Sequence, residues 1–567
     1  MILIVIENIK NKIIIDKYLE PTIMGSNYLF ELERMALYRL SYDQSFNLSF
    51  QLIPTDFNNN YIQDIKNTIS RVKDRIKKYN LIVNLEESHV DLHHTICSDL
   101  AYSINEDLLI GERIFSINEE LKFDKIIFIN TKKFKILRRS LKRLGLPVKV
   151  YHKRHIPNLI IFKEKWVFLL KYLYLKFALF RVQKGKQRYF DNNKHILFEI
   201  GTKYYFDKIS KYFDRFFNQS FHSEFLVLGR SQIFRTELIQ LKTLYNFRSI
   251  LVKVKNIHLD NVSNNDLLEL LILNKLCSLY IRAQLYFDSC YRYFNSEKCD
   301  YLIVTFSSKL FVSCLISSAK LFKIPVALLN GGAFTIPEQF LLTKVNKYFV
   351  WGNYDKEKLQ KYGISEKDIQ LIGSPFFPSI DYGVTVSPKS DLLKIGIATG
   401  GFPTEYNWYF WRTLSDAISL LNPVEIKIMI RLHPNEKITN VFVDDFTRNS
   451  NFTIEYDTSK NTNRFLTQNN LIVHQNSTLG IESIIAGTPA IDIDFTGSNS
   501  NAPWDCFTIP VKAKNSDELL NAIRFYQDNN SWGDKFISER KEFITNMFCC
   551  TSEKAFENFT HHLITHL

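Results

Sequence analysis

The chain lacks the sequence patterns of zinc proteins, membrane-spanning proteins and disulfide-rich secreted domains. Its 567 residues include eight cysteines, none of them in a Cys-x-x-Cys spacing. Disulfide frameworks belong mostly to short secreted chains, so this cysteine usage fits a reducing cytoplasm. No apolar run approaches the roughly 18 residues that a transmembrane helix needs. The N-terminal MILIVIENIK has no basic region before its short apolar run, so we expect a buried strand there rather than a signal peptide.

Acidic metal-binding patterns are scarce as well. The nearest approach to an Asp-x-Asp motif is Asp492-x-Asp494, and we expect no metal role for it. The stretch 86–94 contains metal-ligand residue types, but no second cluster with metal spacing accompanies it. A polar loop followed by a helix start is therefore the better interpretation of that stretch. We expect neither a bound metal nor another cofactor.

What remains is the composition of a globular protein with more than one domain. Hydrophobic residues make up 46% of the chain, which excludes a disordered protein. A length of 567 residues exceeds what one core accommodates and predicts two or three domains. Apolar runs alternate with helical patterns, which predicts an α/β fold with parallel sheets. In the first 155 residues the expected strands are 1–6, 81–83, 125–129 and 148–151, and the expected helices are 61–78 and 134–144.

The segment 151–195 differs from the rest in charge. Eleven basic residues against two acidic ones give it a balance of +9, out of +13 for the whole chain. Within it, residues 166–182, WVFLLKYLYLKFALFRV, mix aromatic and apolar side chains with Lys171, Lys176 and Arg181. This pattern favours an interfacial helix that buries aromatic rings among headgroups while its cations reach anionic lipid. A core helix that crosses between domains is the alternative.

Residues 471–494, LIVHQNSTLGIESIIAGTPAIDID, form the most informative stretch. The pattern predicts a buried strand, a turn of helix-start residues, an apolar helix and a second strand. Backbone N–H groups at such a helix start bind anions, and an acidic side chain one turn inside can reach a ribose hydroxyl. Ordinary helix capping is the alternative. The candidate donor-binding residues of this stretch are His474, Asn476, Ser477, Thr478 and Glu482.

Two other predicted strands end in residues suited to binding a ligand. The apolar run 425–430 leads directly into Arg431 and His433, and a proline then stops the strand. The run 394–398 is followed by a glycine turn whose bare backbone can approach a phosphate or a sugar. Ligands of open α/β sheets bind at the carboxyl ends of the strands. Arg431, His433, Gly400 and Gly401 therefore join the candidate donor-binding residues.

The order of these motifs resembles a known family. His433-Pro434, followed about 40 residues later by Ser477-Thr478, is similar to the donor-binding half of GT-B glycosyltransferases that build bacterial surface polysaccharides. Sialyl-, polysialyl- and Kdo transferases and the CDP-glycerol glycerophosphotransferases share such a His-Pro and Ser-Ser or Ser-Thr pair. The segment 348–377 is also similar to the stretch that joins the two halves of these enzymes. The resemblance covers residues 299–567 and implies a metal-independent transfer in which His433 acts on the donor.

The acceptor side of the expected cleft is less defined. Asn330-Gly331-Gly332 forms a glycine turn after a predicted strand. The glycerophosphotransferases carry a histidine before such a glycine, where it is thought to act as the base, but asparagine cannot accept a proton at neutral pH. The base of an inverting transfer must then come from another side chain. Glu199, at the end of a predicted strand, and Glu338, on the loop after the glycine turn, are the candidates.

The sequence as a whole predicts a GT-B architecture of two Rossmann-like domains facing across a cleft. The expected parts are an N-terminal α/β extension (1–155), a basic aromatic helical insertion (156–194), an acceptor-side domain (195–345) and a donor-nucleotide domain (346–567). The predicted activity is transfer of a sugar from a CMP-sugar, or from a UDP-sugar, to a glycan or glycolipid of the capsule or lipopolysaccharide.

Three alternatives stay open for the activity. They are a CDP-polyol phosphotransferase, a UDP-sugar 2-epimerase of the same fold, and a non-catalytic subunit of a polysaccharide-assembly complex. We expect the protein to be cytoplasmic and peripheral on the inner face of the cytoplasmic membrane, with no nucleic-acid partner.

The charge of the basic segment leads to a direct test of this location. Each cation near an anionic surface contributes about 1 kcal/mol, and salt weakens the attraction. Changing Lys171, Lys176 and Arg181 to Glu should release the protein from anionic liposomes in a flotation assay, and added salt should release the parent protein. Binding by the parent that does not respond to salt, or the absence of any binding, would contradict the prediction.

Overall fold

The structure is a computed structural model of the 567-residue chain. It describes residues 2–6, 27–31, 50–52, 61–78, 84–85, 90–91, 93–129, 135–151, 194–200, 203–216, 221–227, 266–305, 310–331, 344–380, 392–400, 404–433, 446–447, 451–459, 461–475, 477–493, 502–528 and 532–566. None of the helices in these ranges is both long enough and apolar enough to cross a bilayer. The basic aromatic segment 156–194 falls outside them, apart from its last residue.

The first sheet in the described part of the chain is parallel and five-stranded, in the order β3-β2-β1-β6-β7. Its strands are β1 (Ile2–Ile6), β2 (Asn27–Glu31), β3 (Phe50–Leu52), β6 (Lys125–Ile129) and β7 (Val148–Tyr151). A short antiparallel pair, β4 (Asn84–Leu85) and β5 (Val90–Asp91), precedes the longest helix of this part. The helices are α1 (Tyr61–Lys78), α2 (His93–Leu121) and α3 (Lys135–Arg143).

The second sheet is parallel and six-stranded, in the order β13-β12-β11-β10-β8-β9. Its strands are β8 (Lys194–Ile200), β9 (Phe221–Val227), β10 (Tyr301–Val304), β11 (Val326–Leu329), β12 (Lys347–Val350) and β13 (Ile369–Leu371). The accompanying helices are α4 (Lys203–Phe216), α5 (Leu267–Ser296), α6 (Leu310–Leu321) and α7 (Asn353–Lys361), with a 3₁₀ turn at Glu366–Asp368.

The third sheet is again parallel and six-stranded, in the order β16-β15-β14-β17-β18-β19. Its strands are β14 (Leu393–Ala398), β15 (Ile426–Arg431), β16 (Thr453–Tyr456), β17 (Leu471–His474), β18 (Ala490–Ile493) and β19 (Lys512–Ala513). The helices are α8 (Thr404–Ile418), α9 (Thr462–Gln468), α10 (Thr478–Ala486), α11 (Ser516–Asp528), α12 (Trp532–Met547) and α13 (Ser552–His566), with a 3₁₀ turn at Trp504–Cys506.

The strand orders determine where a ligand can enter each sheet. In the second sheet the chain leaves β8 to one side for β9 and to the other side for β10. In the third sheet it leaves β14 toward β15 and later returns to its other side at β17. The connections on the two sides of such a switch point cover opposite faces of the sheet, so a crevice opens between them at the carboxyl ends. The switch points are therefore β8/β10 and β14/β17.

The second sheet has two cores because successive side chains of a strand point to opposite faces. Leu302 and Val304 of β10 belong to a buried cluster that also contains side chains of α2, α5 and α6. Tyr301 and Ile303 of the same strand face the other way, into a cluster with side chains of α4 and α13. The N-terminal helices thus share a core with the second sheet on one face, and the C-terminal helix covers the other face.

The last helix connects the end of the chain to the second sheet. The Phe559 ring of α13 packs against Phe198 of β8 and Phe349 of β12, with ring centroids 6.3 Å and 5.2 Å apart. The Tyr212 hydroxyl of α4 lies 2.8 Å from the Ser552 hydroxyl at the start of α13. The part of the chain that begins in the third sheet therefore ends on the second.

The expected α/β class with parallel sheets is confirmed. The helix expected at 61–78 is present, and the one expected at 134–144 spans Lys135–Arg143. The expected strand 81–83 lies outside the described residues. The sequence did not predict that the N-terminal portion has a parallel sheet of its own with a switch point, between β1 and β6.

Candidate functional site

The carboxyl ends of β14 and β17 bring two of the sequence motifs together. Ala398 pairs with His474 in the parallel register, so the loop after β14 and the loop after β17 begin side by side. The next strand outward, β15, ends at Arg431, and the His433 backbone N–H donates a 2.8 Å hydrogen bond to the Thr399 hydroxyl. We call Thr399, Gly400, His433, Ser477 and Thr478 the switch-point cluster.

Thr399 is the member of this cluster that the sequence did not single out. It is buried, and its hydroxyl binds the loop after β15 while its backbone N–H donates to the Arg431 carbonyl at 3.2 Å. The sequence signal that could have identified Thr399 is its position, as a hydroxyl residue between a predicted strand and a glycine. Asn476 and Gly401, which the sequence also placed here, lie outside the described residues.

The start of α10 is built as an N-cap. Ser477 has extended backbone angles, φ −101° and ψ 141°, and its hydroxyl accepts the Leu479 backbone N–H at 3.2 Å. Thr478, the first helical residue, is exposed. The helix then runs for nine residues to Gly487, whose φ of 84° is the left-handed conformation that favours glycine at a helix end. The positive end of a helix is thereby presented at the switch point.

The His474 ring packs against the first turn of α10 on the side that faces the core. The ring is fully buried, and its Nδ1 accepts the Ser477 backbone N–H at 3.4 Å. A Cβ on Gly480 would lie 2.0 Å from Nε2, so the first turn of α10 rests directly on the ring. The Asp492 carboxylate, 3.4 Å from Nδ1, favours a charged ring. Burial outweighs it and lowers the pKa of His474 to about 3. The structure thus places His474 beneath the site, as a neutral support.

Arg431 is directed away from the switch-point cluster. Its guanidinium pairs with the Asp457 carboxylate and donates to the Ser459 carbonyl and the Thr462 hydroxyl, both at 3.2 Å. Burial acts to raise the pKa of Asp457, but hydrogen bonds from Ser459 and Arg431 hold it below its ordinary value. Arg431 therefore fastens the end of β15 to the loop before α9. The structure does not bring it to the other predicted donor residues.

Asn330 makes hydrogen bonds that connect the ends of two neighbouring strands of the second sheet. Its side-chain amide donates to the Asp355 carboxylate at 2.9 Å, and its carbonyl accepts the Trp351 indole N–H at 2.8 Å. Asp355 is buried, and burial raises its pKa to about 7. Gly331 is buried next to Asn330, while Gly332 and Glu338 lie outside the described residues. Asn330 thus holds the ends of β11 and β12 together.

Glu199 lies near the carboxyl end of β8, at the switch point of the second sheet, but its side chain is in the protein core. The side chain is fully buried, and its Oε2 accepts the Thr305 backbone N–H at 3.2 Å. Alternation along β8 puts Glu199 on the face of Leu197, which belongs to the core shared with α5 and α6. The sequence predicted this residue on the edge of a cleft. The structure places it at the expected strand end with its carboxylate turned inward.

One ion pair joins the two sheets' carboxyl edges. Lys208 lies in the second turn of α4, which follows β8, and Glu482 lies in the second turn of α10, which follows β17. Lys208 Nζ is 3.2 Å from Glu482 Oε1, and both side chains are partly buried. Because each helix begins at the carboxyl edge of its own sheet, this contact brings the two switch points next to each other. Nothing in the sequence pattern distinguished Lys208 from other lysines.

A metal centre has no counterpart in the described ranges, where no three His, Cys, Asp or Glu side chains lie close enough together to hold an ion.

Comparison with known proteins gives structural likeness only. No protein-family model matches the chain, and no curated protein matches it. A putative UDP-N-acetylglucosamine 2-epimerase from Listeria monocytogenes superimposes with a TM-score of 0.45 at 12% identity, covering 66% of this chain and 97% of that one. The Methanocaldococcus jannaschii UDP-GlcNAc 2-epimerase in complex with UDP-GlcNAc and UDP superimposes with a TM-score of 0.42 at 14% identity. The match covers 65% of this chain and 99% of that one.

A third solved structure is the apo form of the lipopolysaccharide outer core galactosyltransferase WaaB. It superimposes with a TM-score of 0.42 at 13% identity, covering 66% of this chain and 100% of that one. Similarity at this level does not assign a function.

The buried His474 predicts a specific pH dependence. Its pKa is about 3 in the folded state against 6.5 ordinarily, so between these values the unfolded chain binds more protons. Stability contributed by the neutral ring is present above pH 6.5 and is lost as the pH falls through this window. From pH 6.5 to 5 the buried His474 ring alone should lower the free energy of unfolding by about 2 kcal/mol, which urea unfolding measures as a difference from a variant that lacks the ring.

The matched comparison is His474→Gln. At pH 6.5 the variant should be less stable than the parent protein. Over the same pH interval its free energy of unfolding should fall by about 2 kcal/mol less than that of the parent. Asp355, whose raised pKa acts in the opposite direction, is present in both proteins and cancels from the difference. Equal pH slopes for the two proteins would contradict a neutral buried ring.

Proposed function

We propose that the chain is a GT-B glycosyltransferase that transfers a sugar from a nucleotide-activated donor to a surface glycan or glycolipid. The observation that carries the proposal is where the family-like motifs lie. Gly400 follows β14, His433 follows β15 and Ser477-Thr478 follows β17, so they surround the switch point of the third sheet. In open α/β sheets this crevice is where nucleotides bind. A CMP-sugar is the favoured donor because the motif pair resembles that of sialyl- and Kdo transferases.

The start of α10 suits the phosphate of such a donor. The helix dipole places partial positive charge at Ser477 and Thr478, where negative charge develops on the leaving nucleotide. Gly400 has no Cβ to obstruct a phosphate or sugar that approaches the loop after β14. The His433 backbone N–H is bound to the Thr399 hydroxyl, which keeps this residue at the same edge. These groups could stabilise the leaving group without a metal ion.

The ribose is assigned to Glu482. Its carboxylate lies one turn beyond the phosphate-binding end of α10, where it could accept hydrogen bonds from ribose hydroxyls. In the structure the carboxylate is paired with Lys208 instead. Nucleotide binding would therefore exchange the ammonium group for the ribose, and the pair would compete with the donor.

The acceptor would enter from the second sheet, whose switch point adjoins that of the third. Glu199 and Glu338 remain the hypotheses for the base. A catalytic role for Glu199 requires its carboxylate to turn out of the core, because it is fully buried and bound to Thr305. The basic segment 151–195 would keep the enzyme at the inner membrane face, close to a lipid-linked acceptor.

The proposal is tested first by nucleotide binding. Isothermal titration should detect binding of at least one of CMP, CDP, UDP and GDP, and that nucleotide should stabilise the protein by about 2.7 kcal/mol at 100 times its dissociation constant. His433→Ala and Ser477→Ala should each cost about 2–4 kcal/mol in the transition state of sugar transfer, as for loss of a group that stabilises developing charge.

Two control variants separate binding from folding. Asn515 caps the start of α11 as Ser477 caps α10, so Asn515→Ala loses a helix cap without touching the switch-point cluster. His561 is exposed on α13, so His561→Ala removes a histidine without touching the cluster. Both controls should transfer at the parental rate. Full activity in His433→Ala or Ser477→Ala would refute the assignment of the donor site.

The outcome also separates the alternatives. Conversion of a UDP-sugar without any acceptor would indicate an epimerase, and transfer of a polyol phosphate would indicate the phosphotransferase. Tight binding with no turnover of any donor would indicate a non-catalytic subunit.

The ion pair between Lys208 and Glu482 gives a separate prediction. Lys208→Met should remove the competing ammonium group and tighten ribonucleotide binding about fivefold, because a partly buried pair is worth about 1 kcal/mol. Lys211→Met, three residues along α4, is the control and should leave affinity unchanged. The gain should vanish with a 2′,3′-dideoxynucleotide, which has no hydroxyls for Glu482. Unchanged or weaker ribonucleotide binding by Lys208→Met would argue against a ribose site at Glu482.

A further inference from the structure

The segment between α12 and α13 is fastened to the second sheet by its backbone. The Cys549 N–H donates to the Trp351 carbonyl at 2.9 Å, just beyond β12. The Cys550 carbonyl accepts the Ser374 N–H at 3.0 Å, and the Ser552 N–H donates to the Ser374 carbonyl at 2.9 Å. The two adjacent cysteines are therefore part of the junction through which the last helix reaches the second sheet.

This junction is closely fitted. A Cβ on Gly373 would lie 2.1 Å from the Cys550 carbonyl oxygen, so no larger residue fits opposite the cysteine backbone. The Phe548 ring stacks on the Trp351 ring, with centroids 5.6 Å apart. Any change in the backbone of the two cysteines is therefore passed directly to the ends of β12 and β13.

The two thiols are in contact with each other. Their sulfur atoms are 4.0 Å apart, with Cys549 exposed and Cys550 half-buried. As a thiol, Cys550 donates a hydrogen bond to the Ile372 carbonyl at 3.1 Å, and its Sγ accepts one from the Asn558 side-chain amide at 3.2 Å. A reagent that reaches the exposed sulfur thus meets a second sulfur immediately beside it.

The surroundings of Cys550 favour a thiolate. The Cys549 S–H is the main group that lowers the pKa of Cys550, and Lys554 and Asn558 add to the effect against partial burial. Glu557, the nearby acid on the same helix, opposes it. Two residues later α13 begins, and the positive end of a helix stabilises a thiolate further. Of the two sulfurs, Cys550 is therefore the nucleophile.

We propose that Cys549 and Cys550 form a reactive dithiol site, which closes to a vicinal disulfide with a hydroperoxide and binds trivalent arsenicals through both sulfurs. In the oxidation, the Cys550 thiolate attacks the peroxide, the O–O bond breaks, and an alcohol or water leaves. The Cys549 sulfur then displaces water from the resulting sulfenic acid. Two thiols are oxidised and one hydroperoxide is reduced; the products are one disulfide, one water and one alcohol, or two waters when the oxidant is hydrogen peroxide. This site does not depend on the proposed function.

The disulfide would be strained and easily reduced. Adjacent Cα atoms are about 3.8 Å apart across a trans peptide, whereas disulfides usually join Cα atoms about 4.4–6.8 Å apart. Strained disulfides have more oxidising potentials and belong to the labile class. The strain acts on the peptides that bind Trp351 and Ser374. Oxidation should therefore loosen the attachment of α13 to the second sheet.

Mass spectrometry of the native protein treated with hydrogen peroxide tests the first part. The peptide that contains both cysteines should lose the mass of two hydrogen atoms and regain it with dithiothreitol. In Cys549→Ser the same peptide should instead carry a sulfenic acid that dimedone traps. Cys506→Ser, which removes another partly buried cysteine of the third part of the chain, should behave like the parent. Oxidation of the parent to independent sulfenic acids without the mass loss would overturn the proposal.

Two further measurements address ligand binding and the junction. Phenylarsine oxide should bind one-to-one at this peptide, should be released by dithiothreitol but not by 2-mercaptoethanol, and should not bind Cys549→Ser there. The Ser374 amide should exchange its hydrogen at least about tenfold faster in the oxidised protein, as local opening predicts. Retention of the arsenical by Cys549→Ser at this peptide, or unchanged exchange at Ser374, would refute the corresponding part.

Discussion

The parallel pairing of β14 with β17 is the constraint on which the candidate site depends. It puts Ala398 beside His474 and thereby sets the loop after one strand against the helix that follows the other. The hydrogen bond from His433 to Thr399 then adds the loop after β15 to the same edge. Three segments that are far apart in sequence meet there because the sheet is parallel and its order reverses between these strands. None of them could form the site alone.

Two of the contacts between the second and third sheets differ in chemical character. At the carboxyl edges a partly buried ion pair, Lys208 with Glu482, links α4 to α10. At the far end the aromatic residues of α13 enter the core of the second sheet. The first contact is between partly buried charged groups, whereas the second buries large aromatic rings.

The outline of the fold could be read from the sequence because apolar runs and helix-start residues are local signals. The strand, turn, helix and strand of 471–494 were predictable, since Ser477 caps its own helix and Gly487 ends it. Side-chain direction was not predictable. Arg431 and Glu199 lie at the expected strand ends, but Asp457 and Thr305, distant in sequence, draw them away from the edge. Lys208 could not be found at all, because its partner lies 274 residues away.

The contact between His474 and Gly480 has a consequence for how sequences of this fold can diverge. A methyl group at position 480 would meet the imidazole Nε2 at 2.0 Å, and the helix backbone cannot move aside without dislocating the N-cap at Ser477. A larger residue can therefore replace Gly480 only after a smaller residue has replaced His474. A sequence with only one of the two substitutions is less stable than one with neither. Substitutions at the two positions are therefore coupled, and they can accumulate only in a fixed order.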